Sequence, residues 1–205
     1  FRAAVTSLCL MALCEAGGRA PEVSKALRGG ENYLLKHLRR VKRPTPEIIY
    51  NVWAHAYAIE ALVRFIRKGL GKTREQKLRE LVQSQIDMLK RYECMGGGWA
   101  YLDFIARTRH PASTSPSFVT ATVLVALKEA EKIGLKVLDG MVRSALRCLL
   151  RQRKPDGSFL YMEAGWFRPM YLLNRRPASL GRSQVCNLAL RAVSYTHLRA
   201  HETRH

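Results

Sequence analysis

Acidic residues are scarce in this 205-residue chain, which has 16 Asp and Glu against 35 Lys and Arg and a formal net charge of +19. The aspartates stand singly, at Asp87, Asp103, Asp139 and Asp156. Enzymes that cleave polysaccharides by general acid and base catalysis need paired carboxylates. The sequence shows no such acidic pair, and this argues against that class of enzyme.

Zinc-type cysteine pairs, long apolar runs and strand patterns are also missing. The five cysteines include no C-x-x-C pair, and four of them lie in helical patterns beside Ala and Leu, which is typical of small buried thiols. No apolar run has the length that a membrane-spanning helix needs. No segment alternates apolar and polar residues for long, and this disfavours a sheet. Because the sequence has neither a C-x-x-C pair nor an acidic pair, we expect no metal, and we expect no cofactor either.

The last residues differ from the rest of the chain. Residues 193–203 read VSYTHLRAHET and lack apolar periodicity. This string resembles the translation of a common transposase-type sequencing adapter. We interpret residues 193–205 as an artefactual tail, with a metal-binding His tail as the alternative. Residues 1–192 are then the domain, and we expect it to be truncated at both ends.

Internal repeats dominate the remaining sequence. Four segments that are apolar nearly all round align through Ala-Leu pairs: VTSLCLMALCEAG (5–17), WAHAYAIEALVRF (53–65), VTATVLVALKEAE (119–131) and RSQVCNLALRA (182–192). A helix that is apolar on all sides is typically buried. Each of the first three segments is followed by a one-sided amphipathic pattern, in 23–38, 74–92 and 138–150.

This alternation predicts two concentric layers of helices. Apolar helices over 5–16, 53–67, 117–131 and 182–192 would form an inner ring, and the amphipathic helices would form an outer ring with one face in water. The predicted fold class is all-α, a partial α/α toroid of alternating inner and outer helices that forms a fragment of a larger ring. A HEAT-type solenoid would need a shorter repeat and less apolar inner helices.

Glycine precedes an aromatic residue where two outer helices end, in Gly96-Gly97-Gly98-Trp99 and in Asp156-Gly157-Ser158-Phe159. The pattern resembles the QW-type motif of the prenyltransferase and squalene-cyclase repeat family, a family with a terpenoid cyclase-like α/α toroid. The resemblance covers residues 1–192. The segments GGGWAYLDF, SFVTATVLVAL, RQRKPDGSFLY, FRPM and LGRSQVCNLAL look like a bacterial subfamily of these proteins.

The catalytic signatures of that family do not carry over to this sequence. The D-x-D-D proton donor of the squalene cyclases is missing, as is the D-x-C segment of the zinc-dependent protein prenyltransferases. The paired acidic residues of magnesium-dependent diphosphate chemistry are missing too. The resemblance thus implies a fold and a class of apolar ligand, and it leaves the reaction open.

Two long connections lead from outer to inner helices, over 93–116 and 154–180. Because the inner helices are expected to run parallel, both connections should meet at one mouth of the ring, where helix N-termini favour anions. The candidate catalytic residues there are His55, Asp103 and Glu163. The candidate ligand-binding residues are Trp53, Tyr57, Tyr101, Thr120, Tyr161, Trp166, Arg168, Arg182, Gln184 and Asn187.

Several of these residues have a structural interpretation beside the functional one. His55 suits a hydrogen-bonded core histidine as well as a proton carrier, and Asp103 suits a carboxylate that holds its loop. Tyr101 and Trp166 suit packing between helices. These alternatives stay open at this point.

Two functions fit the sequence. The first is an enzyme or carrier that holds an isoprenoid or similar apolar molecule in a central cavity, where aromatic rings can stabilise cations. The second is a non-catalytic scaffold that binds a protein or glycan through the long-loop end. Basic clusters occur at KHLRRVKR (36–43), RFIRKGLGKTR (64–74) and RCLLRQRK (147–154), and they suit an anionic membrane surface. Nucleic acid is not expected as a partner, because the clusters lack interleaved aromatic residues.

Overall fold

A computed structural model describes residues 1–17, 20–70, 72–105, 111, 114–163 and 173–193. The described residues are all-α and include no β-strand, only three isolated β-bridges. Short 3-10 turns occur at Leu38–Arg40, Lys72–Arg74 and Pro177–Ser179. Within these ranges the α-helices, numbered here in chain order, are α1 Arg2–Ala16, α2 Pro21–His37, α3 Asn51–Arg67, α4 Glu75–Arg91, α5 Ser117–Glu131, α6 Asp139–Arg151 and α7 Leu180–Ala192.

The helices pack in two sets. Among the odd-numbered helices, α1 packs against α3, α3 against α5, and α5 against α7. Each of the even-numbered helices α2, α4 and α6 packs against the odd-numbered helix that precedes it. Helices α4 and α6 bury one apolar stripe each, as their sequence pattern predicts, and α2 buries Leu34 together with Glu31. The all-α prediction is confirmed.

Aromatic contacts join the first turns of neighbouring odd-numbered helices. The rings of Phe1 and Tyr50, which precede α1 and α3, lie 5.6 Å apart between centroids. The rings of Trp53 in α3 and Phe118 in α5 lie 5.9 Å apart and are stacked. The first turns of α1, α3 and α5 therefore lie at the same end of the molecule.

Ion pairs join the last turns of the same helices. Arg64 Nε of α3 lies 3.1 Å from Glu15 Oε1 of α1, and Arg67 Nη1 of α3 lies 3.2 Å from Glu129 Oε2 of α5. Because both ends are connected in this way, α1, α3 and α5 run parallel to each other.

A tight turn follows α4 and is repeated after α6. In the first turn Cys94 N donates to Gly98 O at 2.9 Å, and in the second Lys154 N donates to Ser158 O at 2.8 Å. Gly97 has a φ of +87° and Gly157 a φ of +78°. Such left-handed angles favour glycine, and they explain the glycine that the two sequence motifs share.

The aromatic residue after each turn is buried and anchored in the same way. Trp99 and Phe159 are fully buried. Trp99 N donates to Thr120 Oγ1 at 3.2 Å, and Phe159 N donates to Ser183 Oγ at 3.3 Å. Thr120 is the fourth residue of α5 and Ser183 the fourth of α7. The tight turn, the buried aromatic residue and the hydrogen bond that anchors it therefore occur in both repeats.

Burial of the odd-numbered helices is less complete than their apolar sequence suggests. Trp53, Tyr57 and Arg64 of α3 are half-buried, and they share the face of that helix that turns away from α4. On α5 the corresponding face carries the half-buried Phe118 and Val125. We call this side of the odd-numbered helices the free face. The expectation that these helices are buried on every side is wrong for this face.

Candidate functional site

A row of aromatic rings lies at the end where α1, α3 and α5 begin. Tyr50 stacks on Tyr101 with ring centroids 5.5 Å apart, and Tyr101 lies 6.3 Å from Phe118. Phe118 lies 5.2 Å from Tyr161. The row continues onto the free face of α3 through Trp53. We call Tyr50, Trp53, Tyr57, Tyr101, Phe118 and Tyr161 the aromatic row.

The aromatic row is stacked and partly open to solvent. Trp53 and Tyr57 are one helical turn apart, and their rings stack 5.7 Å between centroids. The hydroxyls of Tyr101 and Tyr161 form a hydrogen bond that joins the two long connections. Burial raises the pKa of the Tyr161 phenol further above physiological pH, where this group is neutral and can donate a hydrogen bond. All six members of the row are half-buried.

A charged pair follows the rings further along the free face of α3. Glu60 lies three residues after Tyr57, and its Oε2 atom is 3.3 Å from Arg64 Nη1. Burial raises the pKa of the Glu60 carboxyl, and the neighbouring Arg64 opposes that effect. The free face is thus aromatic near the start of α3 and ionic near its end.

His55 lies on the other side of α3. Its Nδ1 atom is 2.7 Å from Gln85 Oε1 of α4, its Nε2 atom is 3.2 Å from Asn51 Nδ2, and its ring stacks on Tyr92. The side chain is fully buried, and this burial lowers its pKa to about 4. The geometry favours the interpretation as a neutral core histidine over that of a proton carrier at the aromatic row.

Asp103 and Glu163 lie in the two long connections, each two residues after a tyrosine of the row. Asp103 is buried, its Oδ1 atom accepts a hydrogen bond from Ile105 N at 3.3 Å, and its Oδ2 atom is 3.8 Å from Arg43. Glu163 Oε1 accepts a hydrogen bond from Arg151 Nε at 2.5 Å. Each carboxylate therefore lies near a different arginine, Arg43 for Asp103 and Arg151 for Glu163.

Other predicted site residues have structural contacts. Thr120 accepts the hydrogen bond from Trp99 N described above. Arg182 donates to the carbonyl oxygens of Phe159, Ala178 and Leu173 and so fastens the second long connection to α7.

Four predicted site residues remain, two on α7 and two in the second long connection. Gln184 and Asn187 are exposed on α7. The predicted residues Trp166 and Arg168, and the tail 194–205, lie outside the described residues.

Sequence reasoning missed Tyr50, Phe118 and Glu60. Two signals were available. Phe118 occupies the same place in its repeat as Trp53, since the Ala-Leu pairs align the two helices. Glu60 is a single acid within an otherwise apolar inner segment, which is a costly position for an acid without a role.

Among the residues that the structure describes, no group of three or more His, Cys, Asp or Glu side chains could hold a metal ion. None of the described helices has the length and apolar character to cross a membrane. No family model matches the chain, and no curated protein matches it.

Proposed function

We propose that the chain forms an arc of an α/α toroid, with the odd-numbered helices as its inner layer and the even-numbered helices as its outer layer. The order of helix contacts and the parallel course of α1, α3 and α5 support this arrangement. The repeated turn and its anchoring hydroxyl support it as well, because successive repeats of a toroid place equivalent residues in equivalent contacts.

We further propose that the free face binds an isoprenoid or a similar apolar molecule. The observation that carries this proposal is the stacking of Trp53, Tyr57 and Phe118, half-buried on the free face of neighbouring helices. Partly exposed aromatic rings lose unfavourable contact with water when an apolar chain covers them. Their faces also attract a cation.

Binding of tritiated farnesol in equilibrium dialysis tests this proposal. We expect saturable binding by the wild-type chain and a loss of affinity of about tenfold or more for Trp53→Leu, because removal of a central aromatic contact typically costs 1.4 kcal/mol or more, about a factor of ten. Phe104→Leu is the matched control, since Phe104 is 73% exposed on the first long connection and is not a member of the aromatic row. Equal affinity in wild type and Trp53→Leu would contradict the proposal.

A scaffold that binds a protein through the first long connection is the second candidate. Its support is that three apolar side chains on that connection are exposed, Met95 at 73%, Phe104 at 73% and Ile105 at 59%. A protein that covered them would remove apolar surface from water. Absence of farnesol binding, together with no lipid co-purifying in native mass spectrometry, would favour this candidate over the first.

A further inference from the structure

Glu60 places a carboxylate on the free face of α3, in line with the aromatic rings. Positions 53, 57, 60 and 64 lie within about 60° of each other around the helix, so Trp53, Tyr57, Glu60 and Arg64 form one row along it. From Trp53 to Glu60 the helix rises by about 10 Å. An apolar molecule that covers the rings lengthwise therefore comes within reach of the Glu60 carboxylate.

One oxygen of this carboxylate is an open acceptor. Glu60 Oε2 accepts a hydrogen bond from Arg64 Nη1 at 3.3 Å, whereas Glu60 Oε1 accepts none among the described residues. Oε1 is not one of the unbonded acceptors that are enclosed within the described protein, so it reaches solvent although the residue is only 8% exposed. A largely desolvated carboxylate oxygen is stabilised by a donor that reaches it, and most by a charged donor.

The neighbouring carboxylates are already paired with cations. Both oxygens of Glu129 accept hydrogen bonds, one from Arg67 Nη1 at 3.2 Å and one from Lys132 Nζ at 2.5 Å. Glu15 Oε1 accepts a hydrogen bond from Arg64 Nε at 3.1 Å. An anionic ligand at this end of the free face would compete with these carboxylates for the same guanidinium groups, whereas a cationic ligand meets an unoccupied oxygen.

The aromatic rings favour the same charge. Trp53 stacks on Tyr57 and on Phe118, and all three rings are half-buried. The face of an aromatic ring attracts a cation. Tyr57 lies less than one helical turn before Glu60, and side chains three residues apart are neighbours on a helix surface. A cation between these two side chains is therefore attracted by the ring and by the carboxylate.

We propose that the ligand of the free face is an apolar molecule with an ammonium group, which donates a hydrogen bond to Glu60 Oε1 while the apolar body covers Trp53 and Tyr57. This inference rests on the proposed function and specifies the polar end of its ligand. An alcohol can donate to the same oxygen, but without the charge that strengthens the bond. A carboxylate or phosphate group would be repelled by Glu60.

Equilibrium dialysis with three tritiated molecules of one carbon skeleton tests the proposal: farnesol, farnesylamine and farnesoic acid. At pH 8 the alcohol is neutral, the amine is cationic and the acid is anionic. We expect farnesylamine to bind about tenfold more tightly than farnesol, because its hydrogen bond to Glu60 is charge-assisted, and farnesoic acid to bind most weakly. The chain has a formal net charge of +19, so general electrostatic attraction predicts the opposite order.

The chain offers a matched pair of variants, Glu60→Gln and Glu129→Gln. Each removes one carboxylate from a largely buried side chain, 11% exposed at Glu60 and 19% at Glu129. Glu60→Gln should lower the affinity for farnesylamine about tenfold and leave the affinity for farnesol within about threefold of wild type. Glu129→Gln should leave both affinities within about threefold, because both oxygens of Glu129 are already occupied.

The order of the three affinities in the wild-type chain does not depend on any variant. If farnesol binds and farnesylamine binds no more tightly, the ammonium proposal is overturned and the apolar ligand of the free face is retained. If none of the three molecules binds, both proposals are overturned. Tightest binding of farnesoic acid, or equal losses in Glu60→Gln and Glu129→Gln, would also overturn the ammonium proposal, because Glu60 would then make no specific contact with the ligand.

Discussion

The side-chain hydroxyls of Tyr101 and Tyr161 form a hydrogen bond with each other across 60 residues of sequence. Each tyrosine follows a buried aromatic residue, Trp99 or Phe159, by two positions. The bond therefore joins equivalent points of two repeats, and it holds together the two long connections, which carry two of the six members of the aromatic row.

Tyr161→Phe and Tyr101→Phe should each lower the free energy of unfolding by about 1 kcal/mol, the typical contribution of one hydrogen bond. The double variant should lose clearly less stability than the sum of the two single losses, since both changes remove the same hydrogen bond. Urea unfolding measures all three values. Tyr57→Phe is the control, because no hydrogen bond from its hydroxyl occurs among the described residues, and full additivity would contradict the pairing.

Thr120→Val should lower the free energy of unfolding by about 1–3 kcal/mol, because it leaves the buried N–H of Trp99 without an acceptor. Ser183→Ala removes the equivalent acceptor of Phe159 and should have an effect of similar size. Thr122→Val provides the comparison, since the Thr122 hydroxyl donates to Phe118 O of its own helix. A loss in Thr122→Val as large as in Thr120→Val would contradict the anchoring role.

The sequence predicts the helices well because their apolar patterns are long and regular. The predicted segment 117–131 coincides with α5, and the predicted segment 53–67 begins two residues after α3 does. Helical periodicity could also have separated two of the proposed site residues. His55 and Tyr57 are two positions apart, about 200° around a helix, so their side chains could not face the same side of α3.

The partners of the polar residues could not be predicted in the same way. Asp103 lies near Arg43, and Glu163 pairs with Arg151, but many arginines in this basic chain were equally plausible partners. Such pairs depend on how the connections fold back over the helices, and a single sequence carries no periodic signal for that. The location of the aromatic row is a consequence of the same long-range packing.

His55 should make the stability of the fold depend on pH. Its pKa is about 4 in the folded protein, against 6.5 for an ordinary histidine, because burial disfavours the charged ring. The unfolded chain binds more protons between these values, so stability is fully present above pH 6.5 and falls as the pH drops towards 4. The expected loss is about 3 kcal/mol.

Urea unfolding at pH 7, 5 and 4 measures this loss. His55→Gln should keep a hydrogen bond to Gln85, but its side chain does not titrate. The part of the stability loss that is due to protonation of the His55 ring should therefore disappear in this variant. His37→Gln is the control, since His37 is a half-buried histidine outside the α3–α4 core and its removal should leave the wild-type pH profile in place. Identical profiles for wild type and His55→Gln would contradict the assignment.

Gly98 allows the cost of a close contact to be separated from the cost of a backbone angle. Its φ is +73°, and a Cβ atom at this position would lie 2.4 Å from Thr120 Oγ1 and 2.8 Å from Ser115 Oγ. Gly134 has a similar φ of +77°, but a Cβ atom there would meet nothing within 4 Å. Gly134→Ala should therefore cost about 1 kcal/mol from backbone strain alone. Gly98→Ala should cost about 2–4 kcal/mol, because the turn must also move away from α5 and weaken the bond from Trp99 N to Thr120.

Thermal and urea unfolding of both variants gives the comparison, with Gly96→Ala as the control that has neither a left-handed φ nor a close contact. If Gly98→Ala and Gly134→Ala lost equal stability, the turn would not be held tightly against α5, and the repeated anchor would not be a determinant of this fold.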